Sequence, residues 1–181
     1  MRIIGGQYRG RRFTIPGNFK ARPTTDFAKE NIFNVIGNLI DLTDSTALDL
    51  FSGTGSLGFE LVSRGCKQVV CVEKDRFHHA FICKVRDELK IAKSILPIKR
   101  DVFTFLAACK ETYDIIVADP PYALKELATI PSLILSKRLL NPGGIFVMEH
   151  PKEYDFADLP FFLQRRVYGA VNFSIFLYHS D

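Results

Sequence analysis

Apolar and polar positions along this chain fall into blocks that switch between two periods. After R-P-T-T-D-F at 22–27, Ala28, Ile32, Val35, Ile36, Leu39 and Ile40 recur at spacings of three and four, with Lys29, Glu30, Asn31, Asn34 and Asn38 around them. That pattern predicts an amphipathic helix, capped by Thr24 or Thr25 and started past Pro23. Beyond residue 46, apolar runs of strand length alternate with helical stretches. The runs are 47–50, 68–73, 95–99, 113–118 and 144–149. The helical stretches start at Leu57 and cover 77–89, 102–109 and 124–139, the last carrying Pro131. Strands alternating with helices at this spacing imply right-handed crossovers and a parallel, doubly wound sheet. Two further strands, 161–168 and 173–178, are joined by a tight G-A-V-N connection and predict an antiparallel hairpin inserted at the sheet's edge. At the other end, Ile3, Ile4, Phe13 and Ile15 enclose Gly5, Gly6 and Gly10, a small hairpin ended by Pro16 and Gly17.

The expected fold is therefore α/β: a Rossmann-like, doubly wound, mostly parallel seven-stranded sheet with an antiparallel C-terminal hairpin and a small N-terminal β-hairpin. A chain of 181 residues with 47% hydrophobic content suits one core. No apolar run approaches the roughly 18 residues of a membrane span, and nothing resembles a signal peptide, so a soluble, cytoplasmic protein is expected. Cys66, Cys71, Cys83 and Cys109 show no metal-ligand spacing and read as reduced core thiols; adjacent His78 and His79 point to different faces of a helix. No metal is expected. Neither a long heptad nor a large exposed apolar helix face calls for a dimer, and a monomer is expected.

Charge divides the chain. Six of its 24 Lys and Arg precede the first acid, Asp26, so the remaining 18 face 20 Asp and Glu. Arg2, Arg9, Arg11 and Arg12 interleave with Tyr8, which pairs phosphate-binding charge with a stacking surface. A solvated arm would carry the same charges; the interleaving favours a nucleic-acid-binding segment over 1–22, ahead of a catalytic domain over 23–181.

The stretch A-L-D-L-F-S-G-T-G-S-L-G at 47–58 reads as a buried strand, a tight turn and a helix start. Such a turn holds a nucleotide-type cofactor, and both S-adenosylmethionine and a dinucleotide fit the glycine spacing. Asp49 favours the first. A carboxylate four residues before Gly53 would repel a pyrophosphate, yet it suits the ammonium and sulfonium of S-adenosylmethionine. Glu73 at the end of the next strand can accept ribose hydroxyls in either reading, and Asp101 can receive an adenine amino group, cap the following helix, or both. Asp119-Pro120-Pro121-Tyr122 ends the fourth strand. The prolines remove donors and leave nearby carbonyls unpaired, so that Asp119 and the Pro120 carbonyl can accept hydrogen bonds from an exocyclic amine while Tyr122 stacks on an extruded base.

D-P-P-Y together with L-D-L-F-S-G-T-G-S-L-G resembles the pairing in S-adenosylmethionine-dependent amino-methyltransferases. R-I-I-G-G-Q-Y-R-G-R-R-F, R-P-T-T-D and K-E-N-I-F-N are similar to one family within that class, the RsmD-type methyltransferases that modify guanine N2 in small-subunit ribosomal RNA. The resemblance implies S-adenosylmethionine as cofactor, held by Asp49, Phe51, Gly53, Gly55, Glu73, Lys74, Asp101 and Val102, with a cofactor-side role for Arg22 and Thr24. It implies that Asp119, Pro120, Pro121 and Tyr122 hold the target guanine, and that Arg2, Tyr8, Arg9, Arg11 and Arg12 meet RNA within an assembling ribosomal particle. An adenine-N6 methyltransferase, a non-catalytic RNA-binding module and, least favoured, an NAD-dependent dehydrogenase are the alternatives.

Overall fold

The structure is a computed structural model that describes residues 1–17 and 25–179. Its described elements run α1 (Asp26–Leu39), β1 (Thr46–Leu50), α2 (Ser56–Ser63), β2 (Gln68–Glu73), α3 (Arg76–Leu89), β3 (Ile95–Lys99), α4 (Val102–Ala108), β4 (Tyr113–Ala118), a 3-10 turn (Leu127–Thr129), α5 (Ile130–Ser136), β5 (Leu140–His150), β6 (Phe162–Tyr168) and β7 (Val171–Leu177). They form one seven-stranded sheet in the order β3-β2-β1-β4-β5-β7-β6. β1 to β5 are parallel, and β7 enters antiparallel between β5 and β6. The strand order reverses between β1 and β4, which is where a doubly wound sheet opens its ligand crevice.

Two apolar layers cover the sheet. On one face, Ala28, Ile32, Phe33 and Ile36 of α1 pack with α2, α3, Ile145 and Phe173; on the other, Val102 and Leu106 of α4 pack with Ile130, Ile134, Phe146 and Phe176. Thr25 caps α1 by accepting from the Ala28 N–H, and Asp75 caps α3 through Phe77 and His78.

Several elements depart from the sequence pattern for identifiable reasons. The helix expected over 124–139 is two pieces. Pro131 has no N–H to give, so it sits in the first turn of α5, and the chain before it closes as a 3-10 turn. β5 is longer than the apolar run, beginning at Leu140 opposite Tyr113 and shifting register before Ile115. Lys29, a polar flank of α1 by sequence, is buried, as is Phe33. Cys66 and Cys71 are core thiols, whereas Cys83 and Cys109 are only half-buried. The N-terminal hairpin holds a single antiparallel bridge, Arg2 to Arg12, with Phe13 N–H donating to the Met1 carbonyl and Ile3 N–H to that of Arg11.

That hairpin is bolted to the body. Glu60 of α2, fully buried, accepts from the N–H groups of Ile4 and Gly5 at 2.8 Å each and from Arg64 Nε at 2.8 Å. Lys29 Nζ, equally buried, donates to the Arg2 carbonyl and to Ser56 Oγ and lies 3.9 Å from Glu60. Gly6 lies against the end of α2, where a Cβ would fall 1.7 Å from the Ser63 carbonyl oxygen. Only glycine fits there. Ile3 and Phe13 join the main core.

Among the described residues, no helix is long and apolar enough to cross a membrane, and no three His, Cys, Asp or Glu gather as metal ligands.

Candidate active site

Parallel pairing brings the carboxyl ends of β1, β2, β3 and β4 to one edge of the sheet, so residues far apart in sequence meet there. Leu50 pairs with Val72 on one side and Ala118 on the other, and Glu73 pairs with Lys99. The chain leaves β1 through Phe51, whose φ of 59° is unusual for a bulky residue, and passes Gly53 and Gly55, both also left-handed, into α2. Phe51 packs edge-on against Phe103 at 6.3 Å. Holding a phenylalanine in that conformation costs of order 1–3 kcal/mol, a strain that clusters at ligand sites.

Asp49 is buried beneath this turn. Its Oδ2 accepts the Gly58 N–H at 3.0 Å, while its Oδ1 is buried without a hydrogen-bond partner among the described residues. Burial raises its pKa to about 7, against the Gly58 hydrogen bond, which lowers it. An orphaned carboxylate oxygen poised between charge states is what a cationic ligand would satisfy. Gly58 packs so tightly on β2 that a Cβ would meet Cys71 Sγ at 2.7 Å and Asp49 Oδ2 at 3.0 Å. It sets the distance from α2 to the strand.

Glu73 shapes the other wall. One of its oxygens accepts from Gly53 N–H and the other from Asp75 N–H, both at 2.8 Å. A carboxylate has about four acceptor sites, so two hydroxyls can still be received. Lys74 follows it, exposed. Asp101 caps α4 through Oδ1, which takes the N–H groups of Phe103 and Thr104 at 3.0 and 3.2 Å. Its Oδ2 is not used by the cap, so capping leaves the adenine reading in place. Val102, next to it, is buried.

Across β1 from these residues, the Asp119 N–H donates to the Leu50 carbonyl at 3.3 Å, which fixes D-P-P-Y beside the glycine turn. Of the carbonyls near the two prolines, that of Pro121 is paired: it accepts the Leu124 N–H at 2.9 Å and closes the turn after the motif. Pro120 is buried, and Tyr122 stands 44% exposed with its hydroxyl donating to Glu149 Oε1 at 2.9 Å. Glu149, buried at the end of β5, joins the candidate site through this contact and was not among the residues expected from the sequence, although an acid ending a strand is the same signal that marked Glu73. Beside it, His150 Nδ1 donates to the Pro151 carbonyl and Nε2 accepts from Ser174 Oγ, with burial lowering its pKa. It pins β5 to β7.

The basic hairpin borders the same edge. A cavity of about 530 Å³ lies between Arg2, Arg12, Thr14, Lys29, Thr54 and Ser56, linking hairpin, α1 and glycine turn. Within the hairpin the cations differ. Arg2 is paired with Asp26 at 2.9 Å and Arg11 with Glu88 of α3 at 3.6 Å; Arg9 and Arg12 are exposed, and Tyr8 packs partly on the core. Arg22 and Thr24 lie outside the described residues.

Fold and turn together define a Rossmann-like, S-adenosylmethionine-dependent methyltransferase. The family model described as Conserved hypothetical protein 95 matches residues 1–177. The chain belongs to that family, the RsmD-type methyltransferases. It is 35% identical over 158 residues to YlbH of Bacillus subtilis, spanning 86% of this chain and 85% of that one. With Ribosomal RNA small subunit methyltransferase D of Escherichia coli it shares 31% identity over 160 residues, 88% of this chain and 79% of the relative. A solved protein of Thermus thermophilus superposes with a TM-score of 0.85 at 28% identity, covering 97% of this chain and 98% of the other. A Salinibacter ruber RNA methyltransferase solved with S-adenosyl-L-homocysteine shares the fold, with a TM-score of 0.69 at 13% identity, over 88% of this chain and 95% of that one.

Proposed function

We propose that this protein methylates the exocyclic N2 of a guanine in small-subunit ribosomal RNA, within an assembling particle. The observation that carries the reading is the attachment of Asp119 to the end of β1, which sets an amine-accepting loop directly beside the Asp49 turn. Relatives that are named small-subunit ribosomal RNA methyltransferases support the substrate class.

Bound S-adenosylmethionine supplies a sulfonium-activated methyl group. Asp49 receives the cationic amino-acid end, Glu73 the ribose, and Asp101 with Val102 the adenine edge, while Phe51 and Lys74 border them. Asp119 and the Pro120 carbonyl would accept hydrogen bonds from the two N–H groups of the amine, hold its lone pair toward the methyl and steady the cation formed as the carbon–nitrogen bond forms and the sulfur–carbon bond breaks. S-adenosylhomocysteine would leave as the neutral thioether, and the surplus proton of the amine would pass to the Asp119 carboxylate and on to water. Tyr122, fixed by Glu149, offers its ring to the base. Arg9 and Arg12, together with Arg2, Tyr8 and Arg11, would meet the RNA backbone, and the family resemblance gives Arg22 and Thr24 a cofactor-side role.

Asp49 also predicts a pH dependence. A cation binds its ionised form, so with a pKa of about 7, affinity for S-adenosylmethionine rises about sixfold from pH 6 to just above 7. It falls again as the ligand's own amine deprotonates near 7.7–8.0. Calorimetric titration of Asp49→Asn should show weaker binding without the acidic limb; an unchanged acidic limb would remove Asp49 from ligand contact.

The deciding experiment incubates the protein and labelled S-adenosylmethionine with unmodified small subunits, naked ribosomal RNA and duplex DNA, then identifies the methylated nucleoside by mass spectrometry. N2-methylguanosine is expected. N6-methyladenine would keep the loop chemistry and overturn the target, and bound cofactor without transfer would favour a binding module.

A further inference from the structure

Phe27, in the first turn of α1, is 64% exposed, the most exposed large apolar side chain among the described residues. One such residue on a surface is ordinary. What surrounds it is not. The Tyr168 ring stands edge-on to Phe27, 6.2 Å between centroids and at 88°. Tyr168 is the last residue of β6, and Arg166, two positions earlier, shares its face. Arg166 is exposed, and its strand partner is Phe173, which belongs to the core layer under α1, so Arg166 also faces the α1 side.

Topology decides where this cluster lies. β5 and β6 are both antiparallel to β7 and hence parallel to each other, so β6 ends at the same edge of the sheet as β5. Asn172 of β7 pairs with His150, and Val171 pairs with Tyr168, which puts the Gly169-Ala170 turn level with the end of β5, one residue from Glu149. On the α1 side, Thr25 and Asp26 line the cavity that reaches Arg12, Thr54 and Ser56. Asp26, the acid nearest in sequence to Phe27, is neutralised by Arg2. Arg165 on the opposite face is tied to Asn172 Oδ1 and the Lys152 carbonyl and serves the hairpin itself.

We infer that Phe27, Tyr168 and Arg166 form a stacking platform for the RNA strand flanking the target nucleotide. The inference rests on the RNA reading above and adds to it a second contact surface, made by the first turn of α1 and the C-terminal hairpin. Two aromatic rings from separate elements beside an exposed arginine, continuous with the cleft and the Arg12 cavity, match what single-stranded RNA presents: base faces alternating with phosphates. The RNA runs from the basic hairpin, over the first turn of α1, to the β6–β7 turn.

The test uses the full chain with unmodified small-subunit RNA, naked and as particles. Phe27→Ala is the first variant, because an exposed side chain is not needed for folding; Arg166→Glu is the second, and Phe27→Trp restores a stacking face. Phe27→Ala should raise KM about tenfold for the RNA form that the parent methylates, Phe27→Trp should return it to within about twofold of the parent, and affinity for S-adenosylhomocysteine should not change. Arg166→Glu should lower the slope of RNA affinity against salt by about one phosphate contact. Unchanged KM and slope in variants whose parent methylates RNA would overturn the platform alone. Where the parent methylates both naked RNA and particles, a defect confined to particles would also overturn it, in favour of a protein contact. Failure of the parent on every RNA would instead remove the functional reading itself.

Discussion

Asp119→Ala should lower the rate of methyl transfer about a thousandfold while leaving the dissociation constant for S-adenosylmethionine within a few-fold of the parent. A thousandfold is about 4 kcal/mol of transition-state stabilisation, the scale on which one preorganised hydrogen-bonding group acts in a site of this kind. In the proposed reaction the guanine amine is a poor nucleophile because its lone pair is drawn into the ring, and the acceptors at the end of β4 would favour the geometry that frees it. Removing the carboxylate removes the stronger of the two. Asp119→Asn keeps one acceptor oxygen but turns a donor toward the amine, so it should fall between parent and alanine. Single-turnover transfer and calorimetric binding, measured side by side, separate the two roles. If cofactor affinity fell in step with rate, Asp119 would belong to the cofactor site and the amine-accepting assignment would be lost.

Glu60→Ala should cost about 3–5 kcal/mol of folding stability, the usual consequence of leaving a buried charge without its partner. The carboxylate holds two backbone N–H groups of the basic hairpin and Arg64, and it offsets the charge of Lys29. Lys29 already has its pKa lowered, chiefly by burial, while Glu60 acts to raise it. Without Glu60 the lysine pKa falls further. The unfolded chain then binds the proton more readily than the folded one across a wider pH range, so stability rises with pH in that interval and the deficit narrows toward the ordinary lysine value of about 10.4. Urea midpoints at pH 7 and pH 9 would show this. A deficit that did not narrow with pH would mean that the lost backbone hydrogen bonds, rather than the stranded lysine, account for the change.

The consequence reaches function, because the same cluster connects the hairpin to the glycine turn. Lys29 touches Arg2 of one and Ser56 of the other. A weakened hairpin therefore disturbs both the surface proposed for RNA and the start of α2.

Much of the site was legible in the chain before it folded. Gly53 and Gly55 mark a left-handed turn, Gly58 lets α2 close on the strand, and Asp49, Glu73, Asp101 and Asp119 are acids at or just beyond the ends of apolar runs. In a parallel sheet all such ends converge. Strand periodicity therefore located the acids in space as well as in sequence, and the family follows from the same stretches. Asp101 was read both as cap and as acceptor, and the cap is present. What could not be read was which polar group answers which. Tyr122 and Glu149 are 27 residues apart and meet because β5 lies beside β4. Of the carbonyls near the two prolines, that of Pro121 is taken by Leu124 and closes a turn.

By itself the sequence determined the order and kind of elements, the glycine turn, the acids that crown the strands and the D-P-P-Y loop, because each depends on local backbone preference and on burying one face. Only the tertiary structure decided that Lys29 goes inside, that the hairpin is anchored by Glu60, that β7 inserts between β5 and β6, and that Phe27 meets Tyr168. Those outcomes depend on compensating buried charge and pairing strand edges across long separations, and neither leaves a period in the chain.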